Sequence, residues 1–389
     1  MGIDSFKKMY GELLKKYVFT KKTTQYYGKF VFIDAHFQIY RMEIGKIGNT
    51  PFRLTSSGKN VSYILDLFNQ VVQLIIRGLI PVYIFDGGAP SAKEECLEKR
   101  RTDKLRAEEK YKSILDKTSE ESIKQLKRSF RITSEMIVDC TTLLDLMGIC
   151  WIIADKEADQ QCAAMCNYYV KKIPTRIAGI MTNDTDIFTY GGKVILKDFS
   201  LSNNQTLEIN IKDILNFLQS KSDLIRHKFG LKIKRFRFSN FVDLSILMGT
   251  DYKKKCKLGT IDINILLEMF VINEMNVNNT VMEMQKKYGT KIPYDFMESY
   301  REIKDIYSKS TVIHPEDIDI LPRQNDTYDN LIKFMCDQNE FDKKLICESI
   351  NKFSRGIKIF LVDYHSISDI KYSNFESYRK KYYNFHNFH

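Results

Sequence analysis

Nothing in this 389-residue chain approaches the ~20 consecutive apolar residues that span a bilayer. The start, Met1–Gly2–Ile3–Asp4–Ser5–Phe6, has no secretory pattern and lacks the Ser or Thr at position 6 that myristoylation requires. The eight cysteines include no Cys-x-x-Cys, the closest pair being Cys162 and Cys166, which argues against zinc ribbons and disulfide frameworks. The thiols read as small core residues of a protein in a reducing, intracellular compartment with no membrane partner. No internal repeat is visible.

What the chain has is positive charge, a formal +11 with a pI near 9.0, which points to a polyanionic partner. Against that background, acidic residues stand where apolar, strand-like runs end. Lys29–Phe30–Val31–Phe32–Ile33 ends in Asp34, and Ile80–Pro81–Val82–Tyr83–Ile84–Phe85 ends in Asp86. Ile177–Ala178–Gly179–Ile180–Met181 leads into Asp184 and Asp186; Glu157 and Asp159 follow a short run at 150–154, and Asp251 follows a helix. In an open α/β sheet such positions converge on the crevice outside the carboxyl ends of the strands. Carboxylates gathered there repel one another unless a cation neutralises them. Hard oxygen donors suit Mg²⁺ or Mn²⁺, and two such ions ~4 Å apart can drive phosphodiester cleavage. Singly, each Asp has an ordinary reading as a helix cap or turn. Their joint placement is what argues for a metal site.

The periodicities predict a strand over 28–34, a helix over 35–40, a loop over 41–59, a helix over 60–77 and a strand over 79–85. That order suggests a parallel sheet. Residues 91–130 are charge-dense, nearly free of Gly and Pro, and read as a solvated helical hairpin. Helices follow over 134–147, 156–171 and 239–248, with strands at 150–154, 177–181 and 193–197. Residues 221–237 are strongly basic, 259–340 mostly helical, and 370–389 loosely ordered.

In this order the residues resemble the flap endonuclease family, the structure-specific 5′-nucleases that include XPG-like enzymes. The resemblance rests on Met1–Gly2–Ile3, Val31–Phe32–Ile33–Asp34–Ala35 with Ile39–Tyr40, and Gly78 through the Phe85–Asp86–Gly87 turn. It continues through Leu146–Met147–Gly148–Ile149, Lys156–Glu157–Ala158–Asp159 with Cys162–Ala163–Ala164, and Thr182–Asn183–Asp184–Thr185–Asp186. Phe241–Val242–Asp243–Leu244 through Gly249–Thr250–Asp251–Tyr252 and Leu331–Ile332–Lys333–Phe334–Met335–Cys336 complete it.

The resemblance implies an α/β, PIN-like fold: a central, mostly parallel sheet flanked by helices, with a helical cap and a C-terminal helix–two-turn–helix region. Its divisions are 1–90 and 134–252 for the nuclease, 91–133 for the cap and gateway, 253–350 for duplex binding, and 351–389 for a partly flexible tail. Asp34, Asp86, Glu157 and Asp159 would serve one Mg²⁺, Asp34 through water. Asp184, Asp186 and Asp251 would hold a second, with Glu157 or Asp159 bridging and Mn²⁺ able to substitute. Lys93 and Arg100 would hold the scissile phosphate, and Tyr40 would stack on a neighbouring nucleotide. Gly2, Lys253, Lys254, Lys255, Lys257 and Gly259 would touch DNA.

The chain also departs from the family. Asp159 stands where Glu is usual, and Asn183 replaces an acidic residue. The family's Gly-x-Gly turn survives only as Lys257–Leu258–Gly259–Thr260, which argues against K⁺ there. The stretch corresponding to the sliding-clamp peptide, Ile357–Lys358–Ile359–Phe360–Leu361, lacks its Gln and paired aromatics, so a clamp partner is not supported.

The expected activity is a Mg²⁺-dependent 5′-flap endonuclease with 5′→3′ exonuclease activity, a monomer acting on branched or flapped DNA in replication or repair. A mainly exonucleolytic enzyme, a junction nuclease and a catalytically silent DNA-binding scaffold are the alternatives, the last opposed by the retention of all seven carboxylates. Nucleus and cytoplasmic viral replication site both stay open.

Overall fold

The computed structural model describes residues 19–88, 93–200, 202–250, 252, 262–309 and 311–365. Seven strands form one sheet: β1 (Phe19–Lys22), β2 (Lys29–Asp34), β3 (Leu79–Phe85), β4 (Trp151–Ile153), β5 (Ile177–Met181), β6 (Val194–Ser200) and β7 (Gln205–Asn210). Their order is β1-β7-β6-β5-β2-β3-β4. The pairs from β6 to β4 are parallel, while β7 and β1 add antiparallel strands at one edge. The sheet is therefore mostly parallel, as the sequence implies.

Every residue of β3 is buried, as a central strand covered on both faces requires. Pro81 is tolerated there because β4 is short. Tyr83 N–H donates to Cys150 O on the β4 side, so the N–H that Pro81 lacks faces the same side, two residues before β4 begins pairing.

The helices are α1 (Ala35–Lys46), α2 (Ser62–Ile76), α3 (Glu94–Ser113), α4 (Glu120–Ser129), α5 (Ser134–Met147), α6 (Ala158–Lys172) and α7 (Ile211–Lys228). Then come α8 (Phe238–Met248), α9 (Ile263–Ile272), α10 (Val277–Tyr288), α11 (Phe296–Ser308), α12 (Asp329–Ile332), which runs on as a π-helical turn, and α13 (Lys343–His365). Helices α3 and α4 pack on each other as the expected hairpin, and α6 lies against β2, β3 and β5. The chain builds β3 and β4 on one side of β2 and β5 and β6 on the other. The β2/β5 boundary is thus the point where the winding reverses, and a crevice opens at the strands' carboxyl ends.

Four elements differ from the sequence reading. Helix α1 continues to Lys46, into the stretch read as a loop. Strands β1 and β7 were not visible as strands. Residues 351–365, assigned to a tail, are the body of α13. Its Ile350, Phe353, Ile357, Phe360 and Tyr364 are buried, and Phe360 meets Phe30 of β2 edge-on at 5.4 Å. The clamp-like stretch is therefore helical, with Ile357 and Phe360 in the core. Residues 370–389 lie outside the described residues.

Candidate active site

The carboxyl ends of β2, β3 and β5 and the amino end of α6 open into one cleft of about 550 Å³. Asp34, Asp86, Glu157, Asp159 and Asp184 line it, together with Lys93, Arg100 and Tyr40. Each carboxylate is set by the turn that follows its strand. Asp34 caps α1, accepting from Phe37 N at 2.9 Å. Asp86 Oδ1 accepts from Ala158 N, the first residue of α6, at 2.8 Å. This ties the end of β3 to the Glu157/Asp159 pair. Gly87 permits the approach: a Cβ there would sit 1.9 Å from Ala154 O, and Gly87 N donates to Lys156 O at 2.7 Å. Asp184 Oδ1 accepts from Asp186 N at 3.1 Å, which fixes the loop after β5.

Glu157 is held by the Lys93 ammonium and by the hydroxyls of Tyr252 at 2.5 Å and Tyr190 at 3.3 Å. Lys93 also lies over the Tyr252 ring at 5.2 Å. Burial pushes the Asp34 carboxyl well above its usual range, and the charges of Asp86 and Asp184 push it further. Asp159 is raised likewise, by burial first and then by Asp184, Asp34 and Glu157, while Lys93 opposes the shift.

Asp159 Oδ1 is buried without a hydrogen-bond partner among the described residues, a costly state for a carboxylate. An all-oxygen set of mutually repelling carboxylates with an unsatisfied oxygen is what a hard divalent cation relieves, so these residues fit such an ion. Among the described residues no three of the acidic groups close round one ion as they stand; they ring the cleft.

Asp186 is not brought to the cleft wall. It begins a 3-10 turn beneath it, 6% exposed, where its charge adds to burial in raising the Tyr307 hydroxyl. Asp251, Gly2, Lys253, Lys254, Lys255, Lys257 and Gly259 lie outside the described residues, although α8 and α9 bracket the expected two-turn segment. Tyr40 is 37% exposed, its ring 5.7 Å from Phe130 at the end of the α3–α4 hairpin, which leaves a face for stacking.

The cleft also contains groups that sequence reasoning missed. Lys104 lines it beside Arg100; burial and then the charges of Arg131 and Arg100 lower its pKa. Its signal was available, since Lys93, Leu97, Arg100 and Lys104 follow helical spacing along one face. His36, whose Nδ1 accepts from Asp86 N at 3.0 Å, and the two tyrosines on Glu157 had no such signal. By contrast Arg101 and Arg106 pair with Glu98 and Asp103 on the solvent side of α3.

Two family models match the chain, one described as the XPG N-terminal domain over residues 1–107 and one as the XPG I-region over residues 148–251; together they cover more than half of it. The chain is 26% identical to flap endonuclease 1 of Brugia malayi over 361 residues, 92% of this chain and 88% of that protein. It is 25% identical to flap endonuclease 1 of Homo sapiens over 358 residues, 92% and 87% respectively. In fold it is similar to flap endonuclease-1 from Methanococcus jannaschii, with a TM-score of 0.60 and 22% identity over 89% of this chain and 98% of that one. The catalytic core of Rad2 in complex with DNA substrate matches with a TM-score of 0.60 and 22% identity, over 90% and 100%.

Proposed function

This chain belongs to the flap endonuclease/XPG-like family of structure-specific nucleases, and from that membership we propose that it is a divalent-metal-dependent 5′-flap endonuclease with 5′→3′ exonuclease activity on DNA. The observation that carries the reading is the joint placement of five carboxylates, Lys93, Arg100 and the exposed Tyr40 around one cleft. Flap endonuclease 1 proteins and a Rad2 core bound to DNA are its relatives and neighbours, which supports branched or flapped DNA as the substrate class.

Asp34, Asp86, Glu157, Asp159 and Asp184 would hold the metal, with Asp186 and Asp251 completing the family's set. Two Mg²⁺ or Mn²⁺ ions bound there would supply Lewis-acid stabilisation of the phosphate and lower the pKa of water. The chain's own cations act beside them. Lys93 and Arg100 line the same cleft as the carboxylates and would neutralise charge as it develops on the phosphate's non-bridging oxygens. Lys93 is pre-placed by its bond to Glu157 and its stacking on Tyr252. Tyr40 receives a base face without reading its identity.

A silent scaffold would gain nothing from burying Asp159 with an unsatisfied oxygen, so the enzyme reading is favoured. The sliding clamp is not part of this proposal, because the equivalent stretch lacks the motif and turns Ile357 and Phe360 of a helix into the core.

The test is cleavage of a labelled flap, a nicked duplex and a blunt end at fixed salt. Wild-type protein is expected to cut the flap in Mg²⁺ or Mn²⁺, and Asp184→Asn to bind without cutting. Lys93→Ala is expected to lower the single-turnover rate by about 10²–10³ with a much smaller loss of affinity. Wild-type protein that binds flaps and cuts none in either metal would refute the reading.

A further inference from the structure

Between Asp223 and Asp243 the chain carries no acidic residue and six cations: Arg226, Lys228, Lys232, Lys234, Arg235 and Arg237. Residues 231–237, the strap joining α7 to α8, are neither helix nor strand, yet their backbone is held in place. Arg226 Nη1 donates to Lys232 O at 2.8 Å, and Gln219 Nε2 donates to Lys234 O at 3.2 Å. Gln219 Oε1 accepts from Phe236 N at 2.6 Å, and the Phe236 ring is buried as a plug. Arg226 itself is 0% exposed and paired with Glu274.

Burying a guanidinium is expensive, and here it fixes the course of an otherwise irregular segment. A merely solvated charge run needs no such frame. Outward from the strap, Lys228 and Lys234 pair with Glu268 and Glu274, whereas Lys232, Arg235 and Arg237 have no acidic partner among the described residues.

We propose that this strap is a second duplex-contact surface, whose unpaired cations take the phosphate backbone of double-stranded DNA away from the cleft; the proposal rests on the nuclease reading above. A fixed row of cations complements a fixed row of phosphates, and such contacts position a duplex without reading sequence. The distance follows from α8, which begins at the strap and runs toward Tyr252, the residue whose hydroxyl holds Glu157. Eleven helical residues span about 16 Å at 1.5 Å each.

The experiment uses the full chain and a triple variant, Lys232→Gln, Arg235→Gln and Arg237→Gln, binding a plain labelled duplex without divalent metal across a KCl series. The variant is expected to lose about tenfold or more in affinity near 0.1 M salt, with a log–log salt slope shallower by about 2–3. Each single substitution should flatten the slope by about one.

Equal affinity and equal slope for variant and wild type would overturn the proposal, as would failure of the wild type to bind plain duplex. The exposed Ile233 between the lysines makes an anionic membrane the rival partner. Loss of binding to phosphatidylserine vesicles with duplex binding intact would assign the strap there instead. Because the assay reads binding alone, a wild type that grips duplex through the strap and cuts nothing would defeat the nuclease reading and leave this one standing.

Discussion

Asn183 and Asp198 are bonded to each other twice, Asn183 Nδ2 donating to Asp198 Oδ1 at 2.9 Å and Asp198 N donating to Asn183 Oδ1 at 2.9 Å. Asp198 sits at the irregularity of β6 with φ of 49°, a conformation that Asp and Asn adopt more readily than most residues. The bond fixes the loop bearing Asp184 to the neighbouring strand, so Asp198 acts on the cleft through Asn183. Asp198→Gly keeps the backbone angle and loses the acceptor; Asp198→Asn keeps both. Calorimetry should find Mn²⁺ binding weakened about tenfold in the glycine variant and near wild type in the asparagine variant. Equal weakening in both would show that the charge of Asp198, not the bond, matters. Asn183 looked in the sequence like a lost acidic residue, and only the fold supplies its partner fifteen positions on. Asp34, Asp86 and Asp184 were legible because each ends an apolar run. Tyr190 and Tyr252 were not, because packing alone carries them to Glu157.

The elements divide along the same line. Strands β2, β3 and β5 are legible as unbroken apolar runs because both of their faces are covered. β7, Gln205–Asn210, buries only Thr206 and Ile209, and β1 is nearly all polar, so these edge strands are set by pairing rather than by pattern. Helix α13 is a different case. Its core residues recur every three or four positions, a readable helical signal diluted by intervening Lys, Asn and Asp. It crosses α2 so closely that a Cβ on Gly356 would lie 2.6 Å from Ile75 Cγ2. The helix is therefore part of the nuclease core rather than an appendage. Phe353→Ala should cost about 3–5 kcal/mol, read as a lowered denaturant midpoint. A chain ended at residue 350 should fail to fold; normal folding of that truncation would show the helix to be dispensable.

At the scale of the whole molecule, a chain of formal charge +11 gathers five carboxylates in one cleft, where they repel one another. That arrangement has a pH signature. Asp34 and Asp159 have carboxyls raised in the folded state, so the folded protein holds protons that the unfolded chain, with Asp near 3.8, has already released. Stability contributed by these two sites is therefore intact below the unfolded value and lost as pH climbs toward the folded ones. A divalent ion reverses the penalty by binding the ionised, folded form. In chelator, the melting temperature should fall between about pH 5 and pH 8, and Mg²⁺ should raise it more at pH 8 than at pH 5. Asp159→Asn should flatten the chelator profile and shrink the Mg²⁺ increment, since it removes one repelling charge and one of the carboxylates proposed to hold the metal. A Mg²⁺ increment identical at both pH values, and unchanged in Asp159→Asn, would mean that the cleft's carboxylates do not act as one electrostatic unit.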